Sequence, residues 1–425
     1  MKVSALKTTK RTESYNDRAL HIQIYGEGND YPQRLQEIGD ASVTGRACLD
    51  IYAKFIKGRG FADEDFSELV TDSKGTTADS LLANVADDFA RFGGFAIHVN
   101  YDANFRICSA SHVPFEWLRF AELDDTYGFS MLALHPDWGR RYTKLRQFKA
   151  KDIVRFHFFD PTPEVVASEV EEAGGWNAYT GQILYYSNRG PKTYPLPIYD
   201  AAVTDMSNEE GLSNITFRNV RHSFLPAGMI IDHDNNDVTE EQQQAKKNEF
   251  KAFQGDENAG KIMYVNLIGG EQAPEFVPFQ TRDFDKDFTE AEAKTPDIIG
   301  SAFQQPPILR AKDVGANFGA DLMNNAYDFY NSITEAERQE VERQFERVFR
   351  MWAGIANPSM DYTIIPKEYR VTRTLAEKLG SDGTKNVIEL VKDNGIDTVT
   401  KRNIMATIYG IKDEDIDRLL NTVQQ

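Results

Sequence analysis

The sequence predicts an α+β protein, in which a helix-and-sheet region precedes a mostly helical second half with a small α/β insertion. Three observations predict this class. Apolar residues recur at helical spacing between residues 32 and 92, alternate with a period near two between 95 and 159, and return to helical spacing after 195. Helices packed on a mostly antiparallel sheet bury such faces together.

Composition limits the class of protein. The chain has 425 residues, of which 41% are hydrophobic and 12% aromatic, enough for a packed core. A typical domain size of roughly 150 residues predicts about three domains or subdomains. The formal net charge is -18. Tight, sequence-neutral binding to nucleic-acid phosphates needs clustered Lys and Arg, so this charge argues against it and leaves only loose contact with DNA open.

The cysteines and the N-terminus indicate the compartment. Cys48 and Cys108 form no disulfide framework, and we expect both to be buried free thiols. The N-terminal stretch MKVSALKTTKRTESYND has no apolar run behind its basic residues, and no stretch approaches the roughly 20 apolar residues of a membrane span. We therefore expect no signal peptide, no membrane contact and folding inside the cell.

The first half of the chain predicts an arm, two helices and several strands. Residues 1–31 are polar and Gly-spotted and predict a mobile arm. Pro32–Ile56 and Leu81–Phe92 predict helices, each followed by two glycines that end it. The segment PEVVASEVEEAGGWNAYTGQ predicts a loop. Short strands with turns between them are predicted for FAIHVNYD, FRICSASHV, GFSMLALHP and DIVRFHFFD.

The second half predicts two helices on either side of a small insertion. Pro195–Phe224 predicts a helix with a sparse apolar stripe, and a helix so polar must be solvated or packed against other chains. Leu225–Phe279 predicts a strand–helix–strand unit. A returning helix is predicted from Asp283 to Phe303, with a kink where Thr295-Pro296 restarts it.

A proline pair separates the returning helix from a longer one. Pro306 and Pro307 end the first, and a second helical pattern runs over Phe318–Trp352. Inside it, Thr334 and Glu337 form a capping box, which predicts a break near Ser332. Three short helices are then predicted for TLAEKLGS, NVIELVKDNGI and TKRNIMATIYGI.

A search for catalytic and metal-binding constellations finds none that is complete. The chain contains no GxxxxGK[S/T] or GxGxxG phosphate loop, no HExxH and no GxSxG. Asp232, Asp234 and Asn236 alternate as at the start of a calcium loop, but the Gly and Glu that complete such a loop are Asp237 and Gln243 here. An acidic turn before a helix also accounts for this segment.

Two further groups of residues leave alternatives open. His112, Trp117 and Arg119 in ASHVPFEWLRF include a candidate base and candidate binding groups, but the sequence shows no partner for His112, and packing under the sheet accounts for all three. Three lysines of the insertion share a predicted helix with three glutamates, which fits a solvated face or a surface that meets DNA or a partner protein. They are Lys246, Lys247 and Lys251.

Several segments, taken in order along the chain, carry a resemblance to a known family. They are RACLDIYAKFIKGRGF, FARFGGFAIHVNYD, ASHVPFEWLRF, FRNVRHSFLPAGMI, GDENAGKIMYV and DIIGSAFQQPPILRA. In this order they resemble parts of the portal proteins of tailed bacteriophages: an early helix with a Gly-bounded turn, two pieces of the N-terminal region, the end of a first stem helix, a clip turn and strand, and a second stem helix with its Pro-rich turn. The resemblance covers about residues 30–352, and the shared order makes it specific.

The resemblance implies a portal fold with named parts. They are an N-terminal arm (1–31), an α+β wing (32–194), a first stem helix (195–224), a small α/β clip (225–282), a second stem helix (283–303), a tunnel loop (304–317), a long wing helix and its return (318–370) and a helical C-terminal crown (371–425). In this family the stem helices line a channel, and the tunnel loop projects into it.

Two functional surfaces follow from the resemblance. The DNA-facing residues of the tunnel loop would be Gln304, Gln305, Pro306, Pro307, Arg310, Lys312 and Asn317. The clip residues that contact terminase or an adaptor would be Lys246, Lys247, Lys251 and Lys261. For the two cations of the tunnel loop, pairing with neighbouring acidic residues is the alternative to facing DNA.

The function implied is structural. Family members form a ring, usually of twelve copies, at one capsid vertex, through which DNA is packaged and ejected. The implied partners are the terminase large subunit, the major capsid protein and scaffold, a head–tail adaptor and the double-stranded DNA in the channel, with no cofactor, no metal and no catalysis. The implied location is the virion, with assembly in the host cytoplasm. The alternatives are a non-ring adaptor or scaffold protein of the phage head, and a hydrolase or nuclease that uses Asp232 or Asp234.

Overall fold

The computed structural model divides into two units, residues 1–367 and 368–425. It describes residues 16–123, 128–138, 150–221, 228–231, 275–278, 284–310, 320–354, 360–369, 375–393, 395–409, 411 and 413–421.

The strands of the first unit are β1 (Asn16–Asp17), β2 (Ile22–Gln23), β3 (Gly94–Tyr101), β4 (Ile107–His112), β5 (Leu118–Leu123), β6 (Phe129–Leu134), β7 (Val154–Phe158), β8 (Gln182–Ser187), β9 (Gly228–Ile231) and β10 (Glu275–Pro278). Its helices are α1 (Tyr31–Ala41), α2 (Val43–Lys57), α3 (Glu64–Ser67), α4 (Ala78–Phe92), α5 (Pro163–Ala173), α6 (Val203–Arg221), α7 (Phe284–Ala302), α8 (Ala320–Ile333) and α9 (Glu335–Phe349).

The α+β prediction is confirmed by a mixed sheet of eight strands, in the order β1-β2-β5-β6-β7-β8-β3-β4. Neighbouring strands are antiparallel except β7 and β8, which are parallel. The four segments predicted from alternation form β3, β4, β6 and β7. The sequence did not predict β5 or β8, because the first four residues of β5 and the first three of β8 are all buried and no polar face alternates with an apolar one.

Helix α4 packs on this sheet, and α1 and α2 pack against α4, within one continuous apolar core. Helix α4 ends at Gly93, at φ 76°, as predicted. It begins at Ala78, three residues before the predicted Leu81, because the Thr77 hydroxyl caps it by accepting from the Ser80 N–H at 3.2 Å. The predicted helix over 32–56 is two helices, because Ser42 takes an extended conformation and its hydroxyl caps α2 by accepting from the Gly45 N–H at 2.9 Å.

The expectation of a mobile arm is wrong for residues 16–31, which belong to the sheet and core. Strand β2 pairs with β5, and Ile22 and Tyr25 are buried. The Tyr25 ring stacks on that of Tyr194 at a centroid distance of 4.0 Å. Its hydroxyl donates to the Pro195 carbonyl at 2.5 Å. Residues 1–15 lie outside the described residues.

The segment expected to be a loop after β7 begins with a helix. Pro163 occupies the first turn of α5, where its missing N–H costs nothing, and Gly174, at φ 89°, ends it. Val166 and Val170 lie one helical turn apart and are both buried. The many Glu and Gly residues of the segment masked this i, i+4 pair in the sequence.

Helices α6 and α7 pack against each other and lie on either side of the insertion. Helix α6 begins at Val203 after a short 3-10 turn, eight residues later than predicted. Helix α7 runs through Pro296 without a break. Strands β9 and β10 form an antiparallel ribbon in which Met229 faces Val277. The predicted helix and second strand of the insertion lie outside the described residues.

The predicted break in the long helix is confirmed at Thr334, between α8 and α9. The cause differs from the predicted capping box, because the Thr334 hydroxyl donates to the Tyr330 carbonyl at 3.0 Å and makes no cap bond. The buried Arg338 guanidinium donates to the Thr334 hydroxyl and the Asn331 carbonyl, both at 2.7 Å, and to the Phe55 carbonyl at 3.1 Å. Arg338 therefore binds the Asn331 carbonyl beside the break and the Phe55 carbonyl in the last turn of α2.

The second unit contains helices α10 (Leu375–Lys392), α11 (Thr398–Thr407) and α12 (Asp413–Asn421). The first two short helices predicted for the tail are one helix, α10, which continues through Gly380 and Gly383. A small apolar core holds this unit together. It consists of Val387, Val391, Met405, Ile411 and Ile416.

Candidate functional site

The Pro-rich turn after α7 is built by a helix ending in which glutamine replaces the usual glycine. Gln304 has φ 54°, and its N–H donates to the Ser301 carbonyl at 3.0 Å. The next N–H, from Gln305, reaches the Gly300 carbonyl at 3.0 Å. These two bonds are those of a Schellman ending, and a left-handed residue other than Gly costs about 1–2 kcal/mol there. A 3-10 turn, Pro307–Arg310, follows.

Gln305 anchors the turn to the protein core. Its side chain is 4% exposed and its Nε2 donates to the Cys48 carbonyl at 2.7 Å and to the Tyr330 hydroxyl at 3.1 Å. The Tyr330 hydroxyl donates to the Phe303 carbonyl at 3.0 Å. Gln305 was predicted to face DNA; in this structure it ties the turn to α2 and α8 and does not face solvent.

Arg310 lies against the helix that precedes it. Its Nη1 donates to the Pro296 carbonyl at 2.7 Å and lies 3.9 Å from a carboxylate oxygen of Asp297, and its side chain is 9% exposed. Residue 300 is a glycine, and a Cβ at this position would overlap the guanidinium carbon of Arg310. The sequence left two roles open for Arg310, facing DNA or pairing with a neighbouring acidic residue. In the structure it lies beside Asp297.

The other predicted residues of the tunnel loop are at least partly exposed or lie outside the described residues. Gln304 and Pro307 are exposed and Pro306 is half-buried. Lys312 and Asn317 lie outside the described residues, as do the four clip lysines Lys246, Lys247, Lys251 and Lys261 and the DHDNND segment.

An apolar groove of about 620 Å³ runs beside the turn, between its residues and α8. Pro306 and Ile308 form one side, and Leu322 and Phe329 on α8 form the other. Leu322 is 51% exposed and Phe329 56%. Exposed apolar side chains grouped in this way are typical of surfaces that contact another molecule.

His112 has a partner that the sequence did not reveal. Its Nε2 lies 2.7 Å from an oxygen of Asp88, a buried carboxyl on α4. Burial alone lowers the pKa of His112, but the hydrogen bond and charge of Asp88 outweigh it and raise that pKa. Burial raises the pKa of Asp88. A signal was present in the sequence, since Asp88 lies on the apolar face of a helix, next to Phe89 and Val85.

The other candidates for chemistry are packed into the structure. Arg119 is fully buried, where its guanidinium donates to the Asn29 carbonyl at 2.7 Å and lies 5.5 Å from the ring centre of Trp138. Among the described residues, no group of three His, Cys, Asp or Glu side chains is arranged to hold a metal ion. Within the same part of the chain, no helix is long and apolar enough to cross a membrane.

Of the two cysteines expected to be buried, only Cys48 is buried. Cys48 is fully buried in α2, and burial raises its pKa to about 11, while Arg310 acts to lower it. Cys108 on β4 is exposed. Along β4 it follows the fully buried Ile107, so its side chain lies on the opposite face of the strand.

Comparisons with known proteins place the chain near particle necks and a portal protein. No family model and no curated protein matches it. Among solved structures it is similar to the neck of an empty gene transfer agent (GTA) particle computed with C6 symmetry, at 14% identity over 88% of this chain and 93% of that chain, with a TM-score of 0.47. It is also similar to the neck of a native GTA particle computed with C12 symmetry, at 14% identity over the same shares, with a TM-score of 0.45.

A third similar structure comes from a named portal protein. It is an HK97 family phage portal protein from Corynebacterium diphtheriae, at 11% identity over 76% of this chain and 91% of that chain, with a TM-score of 0.40. The sequence segments resemble the same family.

Proposed function

We propose that this chain is the subunit of a phage portal ring, the conduit for DNA packaging and ejection at one capsid vertex. The order of its elements carries the proposal. An α+β region leads to α6, a ribbon-based insertion, α7, a Pro-rich turn and a long helix broken at Thr334. Six sequence segments that resemble portal proteins fall in this same order.

The exposed surface of the paired helices supports assembly with further copies. Phe217 on α6 is 55% exposed and Ile298 on α7 is 47% exposed. Large apolar side chains on an otherwise polar helix pair are expected where the same helices of neighbouring subunits pack together. We propose a closed ring, of about twelve copies by family resemblance.

The charge of the chain fits a conduit that does not grip DNA. Each chain has a formal net charge of -18, and Glu290, Glu292 and Asp297 are exposed on α7. A channel wall that carries such residues repels the phosphate backbone, so DNA slides along it. The role proposed for the chain needs no catalysis and no cofactor.

The proposed partners follow the parts of the fold. The insertion between α6 and α7, with its lysines at 246, 247, 251 and 261, docks the terminase large subunit and later a head–tail adaptor. The region of the eight-stranded sheet, with α8 and α9, contacts the major capsid protein and scaffold. The loop over residues 304–317 faces DNA, except for Gln305 and Arg310, which pack against the protein. The ring resides in the virion after assembly in the host cytoplasm.

Native mass spectrometry of the purified full chain, with negative-stain images of the same sample, tests the proposal. A closed ring of about twelve copies with a central hole is expected. A monomer or dimer that stays so in the presence of scaffold and capsid protein would favour a non-ring adaptor or scaffold protein of the phage head. Metal-dependent hydrolysis that is lost in Asp232→Asn or Asp234→Asn would instead favour an enzyme.

A further inference from the structure

Three aromatic side chains cluster where the connection from α5 to β8 meets the hairpin between β3 and β4. The Trp176 ring lies 5.7 Å from that of Phe105 and 6.1 Å from that of Tyr179, measured between centroids. Trp176 is 39% exposed, and the other two residues are half-buried. We call these three residues the aromatic platform. Grouped exposed aromatic side chains are typical of surfaces that contact another molecule.

The backbone on both sides of Trp176 is held by hydrogen bonds. Before it, the Gly175 N–H donates to the Val170 carbonyl at 2.8 Å at the end of α5. After it, the Ala178 and Tyr179 N–H groups donate to the Gly175 carbonyl at 3.0 and 3.1 Å. The indole of Trp176 is therefore presented to solvent by a turn of fixed geometry.

Phe105 takes a backbone conformation that a bulky residue rarely adopts. Its φ is 60°, and the turn is fixed by the Asp102 carboxylate, which accepts from the Asn104 N–H at 2.8 Å and the Arg106 N–H at 2.9 Å. Asn tolerates the left-handed region well, but Asn104 lies one position before it. Strained residues of this kind concentrate at sites that contact ligands. The strain holds an aromatic ring beside Trp176.

Negative charge collects next to the platform against the preference of the helix. Glu171 and Glu172 are exposed in the last turn of α5, which has no basic residue. The C-terminal end of a helix is its negative end, so carboxylates are unfavourable there. From Phe156 to Asn188 the chain has five carboxylates and no Lys or Arg. A cation bound beside Trp176 would relieve this repulsion.

We propose that the aromatic platform, together with Glu171 and Glu172, binds an arginine-bearing segment of another protein. The guanidinium stacks on the indole of Trp176, the ring type that binds cations best, and its charge meets the two carboxylates. The same carboxylates repel phosphates, so a nucleic acid is not the occupant. This binding site stands on geometry and charge alone and does not depend on the proposed ring or conduit.

A titration of the full chain with the peptide acetyl-Gly-Arg-Gly-Arg-Gly-amide tests the role of the indole. At about 0.15 M salt, where long-range attraction is screened, we expect a saturable change in tryptophan emission and a Kd of about 1 mM or below. In Trp176→Leu the emission change should be lost, and calorimetry should give a Kd about fivefold higher. The matched control is Phe329→Leu on α8, where the ring is 56% exposed; it should bind as the wild type does.

The double variant Glu171→Gln, Glu172→Gln tests the role of the charge. It should bind the peptide more weakly, whereas its midpoint of thermal unfolding should rise, because two carboxylates leave the negative end of α5. Opposite changes in binding and stability are not expected of residues with a merely structural role. The control Glu210→Gln, Glu292→Gln removes the same charge at exposed positions of α6 and α7 and should bind as the wild type does.

Three results would overturn the binding site. One is the lack of saturable binding at millimolar peptide. Another is an equal loss of affinity in the platform variants and their controls, which would mean attraction to the charge of the whole chain. The third is equal binding by the wild type of a peptide in which citrulline replaces both arginines, a comparison that needs no variant to fold. A monomeric protein that binds the arginine peptide in this way would overturn only the proposed function.

Discussion

The carboxylate of Glu209 on α6 caps the N-terminus of α2 at Thr44. One oxygen accepts from the Thr44 N–H at 3.1 Å, and the other accepts from the Thr44 hydroxyl at 2.6 Å. The Ser42 hydroxyl also donates to this carboxylate. Because the positive end of a helix favours a negative charge, this contact stabilises the packing of α6 against the N-terminus of α2.

Replacing Glu209 by Gln is expected to lower the free energy of unfolding by about 1–2 kcal/mol, since the charge at the helix N-terminus and one acceptor are lost. Urea denaturation of the full chain measures it. Glu210→Gln, at an exposed neighbouring position, is the control and should change stability by less than about 0.5 kcal/mol. Equal effects of the two variants would contradict the capping role.

Replacing Arg338 by Met is expected to lower the free energy of unfolding by about 2–3 kcal/mol, because the hydrogen bonds from Arg338 to the Asn331 and Phe55 carbonyls are charge-assisted and buried. Arg343, exposed on the same helix, is the matched control, and its Met variant should lose less than about 1 kcal/mol. Denaturant titrations measure the free energy of unfolding of both variants. A small loss in Arg338→Met would mean that the break at Thr334 is stable without it.

The His112–Asp88 pair makes stability depend on pH. The pKa of His112 is raised above its ordinary value of 6.5 in the folded protein. The contribution of His112 to the free energy of unfolding is therefore complete below pH 6.5 and is lost as the pH rises through the folded-state pKa. The pKa of Asp88 is also raised in the folded protein, so its contribution to the free energy of unfolding is lost as the pH rises above the ordinary value of 3.8. We expect the free energy of unfolding to fall between pH 6 and pH 8, and to fall less in the double variant Asp88→Asn, His112→Gln. The same slope in both proteins would rule out this pair as the cause.

The two thiols should react differently with a thiol reagent such as DTNB. Cys108 is exposed and should be labelled in the native protein. Cys48 is buried and its pKa is raised to about 11, so it should react only after denaturation. One thiol per native chain and two per denatured chain are expected. Rapid labelling of both in the native protein would show that α2 opens readily.

Replacing Pro306 and Pro307 by Ala should leave folding and ring assembly intact, since Phe303 and Gln305 still anchor the turn in the core. The more flexible segment is expected to alter DNA packaging or retention under the proposed function. Native mass spectrometry and a packaging assay measure the two effects separately. Loss of folding would contradict an anchor that depends on Phe303 and Gln305 and not on the prolines.

Much of the fold was predictable from the sequence, because it depends on local signals. Gly93 ends α4, Pro306 follows the end of α7, and alternation marks β3, β4, β6 and β7. In β5 and β8 the local signal was absent, because apolar and polar residues do not alternate. Around Val166 and Val170 it was misleading, because many polar residues surround this short buried pair. The misplaced arm has the same origin, since the apolar residues of 16–31 are buried by contacts with distant parts of the chain, as where β2 pairs with β5 and Tyr25 stacks on Tyr194.

The candidate site was predictable as a segment and not as a set of contacts. The sequence by itself determined that a helix ends at a proline pair, since a residue without an N–H cannot continue the helix. It also determined the acidic charge of the chain and the order of segments that resembles a portal protein. Only the tertiary structure decided that Gln305 is buried and that Arg310 lies over Gly300. Those positions depend on Cys48, Tyr330 and the space over Gly300, which folding brings to the turn.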